Sequence, residues 1–203
     1  MCITERRRAR GVTLVELIVF IVIVSVAVMG VLTALDLSNR SSTDPMIQKQ
    51  ALAIAEALLE EVQLQPFTYC DPDDDKAPTA LSASVGPNGC SSAVAVEGMG
   101  AETNAPYGPE SRTSTTNPFD NVNDYDTFCM GPNCITPSSV SDLSGSAING
   151  LGAYTASVSV AQQALGTIPA AESLLVTVTV TGPSGTNVKL DGYRIRYAPN
   201  SLP

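Results

Sequence analysis

The side chain that most often carries general acid–base chemistry is missing from this sequence. It has no histidine, which removes the Ser–His and Cys–His nucleophile pairs and the commonest metal ligand together. Asp71-Pro72-Asp73-Asp74-Asp75 does place carboxylates at alternate positions, as a Ca2+ loop does. Lys76 stands where the EF-hand glycine would be, and the distal glutamate is missing. A solvated acidic turn is therefore favoured over a Ca2+ site at Asp71, Asp73 and Asp75, and no other cofactor is expected. Asp120, Asn123, Asp124 and Asp126 make a second oxygen-rich cluster, which capping and turn hydrogen bonds also explain. No catalytic constellation emerges, so an enzyme is not expected.

Cys70, Cys90, Cys129 and Cys134 offer either zinc ligands or disulfides. Only one close pair exists, Cys129 and Cys134, with a four-residue spacer at the wide end of zinc spacing. Disulfides are favoured because all four follow a membrane segment and so lie on its far side, in an oxidising compartment. Four cysteines allow three connectivities; the favoured one joins Cys129 to Cys134 as a local loop and Cys70 to Cys90. Cys2 lies apart, in a basic N-terminal stretch.

The membrane segment runs from Val12 to Leu35, 24 residues with one charge, Glu16. As a helix it spans about 36 Å, enough for a hydrocarbon core of about 30 Å. Arg6, Arg7, Arg8 and Arg10 precede it, while Asp36 and Arg40 follow, so the N-terminus is expected in the cytoplasm and the bulk of the chain outside the inner membrane. An acid inside a membrane helix costs roughly 2.5–3.5 kcal/mol and normally has a partner. A cut between Gly11 and Val12 would create an α-amino group at Val12, and Glu16 could pair with that amine on a neighbouring copy. Two rivals are an ordinary secretory signal, cut after Ser25-Val26-Ala27 to leave Val28, and a permanent anchor. Glu16 inside the apolar core argues against the first.

The charge elsewhere is acidic. The chain carries −9 in total, and without residues 1–11 it holds seven basic and nineteen acidic groups. Such a body repels phosphate backbones, so nucleic acid is excluded as a main partner. Its 203 residues allow one ordinary domain.

The elements that position these residues follow from periodicity. Ile47, Ala51, Ile54, Leu58 and Val62 recur at helical spacing, so residues 36–65 are read as an amphipathic continuation of the spine. Asp44 is placed as a possible N-cap, with Pro45 in the first turn and Pro66 as the stop. Residues 66–150 are rich in Pro, Gly, Ser, Asn and Asp without a period and read as a disulfide-stapled, surface-exposed region. In 151–203, Tyr154, Ala156, Val158 and Val160 alternate with polar residues, as do Leu174, Val176, Val178 and Val180. Gly182-Pro183-Ser184-Gly185 makes a turn, and Tyr193, Ile195 and Tyr197 alternate with Arg194 and Arg196. These are three half-buried strands, with the two arginines on a solvated face. A helix followed by an antiparallel sheet is an α+β plan.

The string Arg10-Gly11-Val12-Thr13-Leu14-Val15-Glu16-Leu17 resembles the N-terminal signal of type IV pilins and type II secretion pseudopilins. The resemblance implies cleavage of leader 1–11 after Gly11 by a prepilin peptidase, N-methylation of Val12, and a glutamate, Glu16, that sets subunit register. Val12 departs from the family's usual phenylalanine. Asp44-Pro45-Met46 with the helix behind it, Phe119-Asp120-Asn121-Val122-Asn123-Asp124-Tyr125, and Gly182-Pro183-Ser184-Gly185 with Leu190-Asp191-Gly192-Tyr193-Arg194 look like the MshD-type minor pilins of the MSHA (mannose-sensitive haemagglutinin) pilus. That implies a structural and assembly role beside other pilin subunits and an inner-membrane assembly platform, ending at the cell surface. A minor pseudopilin would share the processing, and an adhesive tip module built on 66–150 is the alternative from another class.

Overall fold

The computed structural model of the chain describes residues 13–197, and within them every side chain except those of 37–44. The expected leader 1–11 and Val12 after it lie outside the described residues. Two units follow one another along the chain, Met1–Pro45 and Met46–Pro203.

Helix α1 runs Leu14–Leu64 with Pro45 inside it. This corrects the possible N-cap at Asp44, because the helical backbone does not restart there. Proline forfeits one N–H and crowds the carbonyl four residues back. Long helical runs on either side, once nucleated, offset that single loss. The helix ends one residue short of the position before Pro66, whose ring disfavours helical geometry in the residue preceding it.

In the first unit the side chains from Leu14 to Leu35 are exposed. The stretch Leu14–Asp36, 23 residues with mean hydropathy 2.9, is long and apolar enough to cross a membrane. Its hydroxyls are satisfied within the helix, Ser25 Oγ donating to Ile21 O (2.7 Å) and Thr33 Oγ1 to Met29 O (2.8 Å). Apolar surroundings demand such pairing, since nothing there could replace water.

The second unit is helix against sheet. Strands β1 (Cys129–Met130), β2 (Thr155–Gln162), β3 (Ser173–Thr181) and β4 (Asn187–Ile195) form one antiparallel sheet in sequence order. Ala156 pairs with Val180, Val158 with Val178, and Val178 in turn with Leu190. Directly opposed residues share a face, so Ala156, Val158 and Val160 point inward with Leu174, Val176, Val178 and Val180, and with Val188 and Leu190. Against them pack Ala51, Ile54, Ala55, Leu58 and Val62 from the helix, with Ile47 and Leu59 half-buried beside them. Burial of each valine or leucine stabilises by about 1.5–3 kcal/mol relative to exposure.

The last strand begins at Asn187 and is phased opposite to the expectation. Val188 and Leu190 pack on the core, while Tyr193 and Tyr197 are exposed. The pairing Val176↔Gly192 and Leu174↔Arg194 continues that phase. Arg196 is accordingly not on a solvated face. Its side chain is 9% exposed, pairs with Glu172 (3.5 Å) and stacks on Phe67 (3.8 Å) and Tyr69 (4.3 Å). A guanidinium buries its plane on aromatic faces at little desolvation cost.

Residues 66–150 are loop-rich but not merely superficial. They supply Phe67, Val122, Tyr125, Met130 and Val140 to the main core, and Cys70, Ala77, Ala80, Cys90 and Ala95 form a small second core. Disulfides join Cys70 to Cys90 and Cys129 to Cys134, so none of the four is a thiolate available to zinc.

Candidate functional site

The N-terminal site is described from Thr13 onward. Thr13 Oγ1 accepts a hydrogen bond from Glu16 N (3.2 Å), and Thr13 O accepts one from Leu17 N (3.1 Å). Thr13 is thus the N-cap of α1 and Glu16 stands three residues into the first turn, the Thr-x-x-Glu arrangement that suits a helix start. A carboxylate there is favoured by the positive end of the helix dipole. Glu16 is exposed and immediately precedes the uncharged run to Leu35. The cap is readable in the sequence as Thr13-x-x-Glu16 opening an apolar run.

The two acidic clusters of the sequence meet in space. Asp71 and Asp73 lie with Asp120, and Asp120 lies with Glu110 and Asp124, one oxygen from each residue within 4.8 Å of the others in each triad. Glu97 and Glu102 complete the assembly, through the triads Glu97–Glu102–Asp124 and Asp71–Glu102–Glu110. Asp75 is exposed and belongs to none of these groups among the described residues. Asp126 accepts from Val160 N (3.0 Å), a bond that pins the loop to β2. Glu97, Glu102 and Glu110 carried no local signal, because only folding brings them to the aspartates.

Backbone bonds hold each member. Asp71 N donates to Ala95 O (3.1 Å), next to the bridge between Cys70 and Val96, and Asp71 Oδ1 accepts from Asp73 N (2.7 Å). Glu110 N donates to Glu102 O (2.9 Å), and Glu110 Oε2 accepts from Glu102 N (3.2 Å). The short 3-10 helix Val122–Tyr125 carries a capping box in which Asp124 Oδ2 accepts from Asp120 N (3.0 Å) and Asn121 N (2.6 Å). Asn123 Nδ2 donates to Glu97 Oε1 (2.8 Å) and to Gly98 O. Asn121 Nδ2 donates to Thr68 Oγ1 (2.6 Å), which fixes the same turn to the segment after the helix.

Burial, reinforced by mutual repulsion, pushes five of these carboxyls upward, those of Asp71, Glu97, Glu110, Asp120 and Asp124. Asp71 is raised to about 6, held partly in check by the Asp73 amide, and Asp120 to about 8 beside Asp124 and Asp71. Asp124 rises to about 7 despite its two backbone donors, and Glu110 to about 10 through burial and its contact with Glu102. Glu97 is also held well above the ordinary range by burial and by Asp124. The ion pairs among the described residues are Arg112–Glu61, Lys189–Asp191 and Arg196–Glu172, and they leave all seven carboxyls out.

One of those pairs ties the helix to the loops. Arg112 Nε and Nη2 donate to Glu61 Oε1 (2.6 Å) and Oε2 (2.8 Å), and Nη1 donates to Ser141 O and Asp142 O (3.1 Å each). Tyr125 OH adds a bond to Glu61 Oε1 (2.9 Å). Beside this pair opens a mostly apolar cavity of about 700 Å³, lined by Ile54, Leu58, Met130, Leu143, Ile148 and Leu151 among others.

No curated protein and no solved structure matches the chain. Residues 6–32 match the family described as the prokaryotic N-terminal methylation motif, a span that takes in Gly11, Val12, Thr13 and Glu16. The chain carries that motif at the head of an apolar helix, which supports a type IV pilin or pseudopilin fitted to a membrane.

Proposed function

We propose that the chain is a minor type IV pilin of the MSHA type, a structural subunit that helps build a filament. The observation that carries this reading is the methylation motif over residues 6–32 running directly into the exposed apolar stretch Leu14–Asp36. An apolar helix surface of this length needs a partner, which is lipid before assembly and the helices of other subunits afterwards. Prepilin peptidase removes residues 1–11 in the inner membrane, Val12 is methylated at its new amine, and the assembly platform lifts the subunit out of the bilayer.

Glu16 supplies register. In the first turn of its helix it sits close to its own terminus, where the Val12 amine of an adjacent subunit can reach it. An unpaired carboxylate in an apolar filament core is costly, and the neighbour's amine relieves that cost only in one axial setting. Glu16→Ala is expected to leave cleavage intact and reduce incorporation into sheared, purified filaments by at least about tenfold, the equivalent of 1.4 kcal/mol at the contact. Wild-type levels of the variant in those filaments would sink the register role.

The region 66–150 supports this reading over a detachable adhesive module. Because Val122, Tyr125, Met130 and Val140 belong to the main core, cutting the region out removes part of the fold itself.

A further inference from the structure

Asp71, Asp73, Glu97, Glu102, Glu110, Asp120 and Asp124 form four overlapping triads, and five of these seven residues serve in two triads each. The carboxylates are therefore one connected shell. Two oxygens on the same Ca2+, each at 2.3–2.6 Å, lie no more than about 5 Å apart, and the 4.8 Å limit within each triad meets that bound.

Acidic clusters are common on acidic proteins, and this one is distinguished by its buried end. Asp124 is 1% exposed, and its Oδ2 is occupied by the capping box. Its Oδ1 is buried with no hydrogen-bond partner, and so is Glu97 Oε2. Both residues belong to the triad Glu97–Glu102–Asp124. A cap needs one carboxylate oxygen, so capping accounts for half of Asp124 and leaves the other half unexplained. Buried polar oxygens are almost always partnered, and an orphan on a carboxylate is expensive. Two facing carboxylates can close that gap with a shared proton or with a cation.

We infer that these residues form a Ca2+-binding centre, with Glu97, Glu102 and Asp124 at its inner end, Asp71, Glu110 and Asp120 around it, and exposed Asp73 at its mouth. The donor chemistry selects the ion. Every donor is a carboxylate oxygen, the chain has no histidine, and the nearby Cys70 and Cys90 are joined to each other, so nothing soft is offered to zinc or copper. Seven carboxylates on irregular loops suit the 6–8 oxygens and loose geometry of Ca2+ better than the strict octahedron of Mg2+. The ion would tie four stretches distant in sequence, around residues 71–73, 97–102, 110 and 120–124, into one rigid face beside the disulfide.

The test uses the full chain in non-ionic detergent, stripped with a chelator and titrated with CaCl2 by calorimetry and by thermal unfolding. Saturable binding is expected, with the melting midpoint rising by about 5 °C or more in millimolar Ca2+ and falling back on chelation. Asp120→Asn should weaken Ca2+ affinity by at least about tenfold. Asp73→Asn, at an exposed side chain, should weaken it measurably without lowering the Ca2+-free midpoint, since it removes one repelling charge. A midpoint that ignores Ca2+ means that the shell closes by sharing protons, and overturns the inference. So does an equal rise with Mg2+ at the same concentration, or both variants binding as tightly as the wild type.

Discussion

Replacing Arg112 with methionine is expected to destabilise the second unit by about 3–5 kcal/mol, the cost of leaving one member of a buried ion pair behind. The Arg112 side chain is 6% exposed and that of Glu61 16%, so water replaces the missing partner only in part. The guanidinium satisfies both Glu61 oxygens and two carbonyls, Ser141 O and Asp142 O. Methionine fills much of the same space, so the loss is electrostatic rather than a cavity. Lysine at 112 should recover little, because a point charge cannot reproduce the planar fork. Urea unfolding followed by the near-ultraviolet circular dichroism of the tyrosines measures the effect in detergent. A change below about 1 kcal/mol, the range of exposed pairs, would show that the pair does not hold the loops to the helix.

The second large effect is expected at Gly131, inside the Cys129–Cys134 loop. Its φ is +125°, a region that side-chain-bearing residues rarely adopt. A β-carbon there would also run into the backbone of Thr155, the first residue of β2, and of Tyr154 just before it. Gly131 O additionally accepts from Ser138 N (3.0 Å), and Gly131 N donates to Ser138 Oγ (3.0 Å). The clashes with Thr155 Cα and Tyr154 O involve backbone atoms and cannot yield by a rotamer change. Gly131→Ala should therefore cost about 2–4 kcal/mol, combining backbone strain with displacement of the β1–β2 pairing. Gly150 makes a control: its φ is +86° but nothing lies within 4 Å of an added β-carbon, so alanine there should cost only the strain, about 1 kcal/mol. Equal losses at the two positions would mean that the close approach at Gly131 carries no weight.

How much of this was legible depended on the range of the interaction. The stripe Ala51, Ile54, Leu58, Val62 and the alternations of β2 and β3 are local periodicities, and each one faces the core in the structure. The last strand shows where periodicity runs out. Tyr193, Ile195 and Tyr197 look like the inward set, but register against β3 decides the phase, and Val188 and Leu190 take the inner face. The alternation of aromatic with arginine concealed an inward guanidinium, because an arginine stacked on Phe67 and Tyr69 behaves as a flat apolar surface. Pro45 is a local breaker overridden by its context. The carboxylate shell was half visible. Asp71, Asp73, Asp120 and Asp124 were picked out by spacing, whereas Glu97, Glu102 and Glu110 stand alone in sequence and join only through long-range loop closure.

The N-terminal motif lies at the other extreme. A family motif of this kind is a run of consecutive residues, so it is legible without any fold to assemble it. This is why a match over residues 6–32 carries more functional weight than the rest of the chain. The charge pattern agrees with it, since four arginines precede the apolar run and an acidic remainder follows it, the distribution that favours a cytoplasmic N-terminus.

The most direct test of the filament-subunit account is the intact mass of the N-terminal peptide after co-expression with a prepilin peptidase. The account predicts a chain beginning at Val12 and carrying one added methyl group. A chain beginning at Val28, or one that retains residues 1–11, would contradict it and leave a secreted or permanently anchored protein in its place.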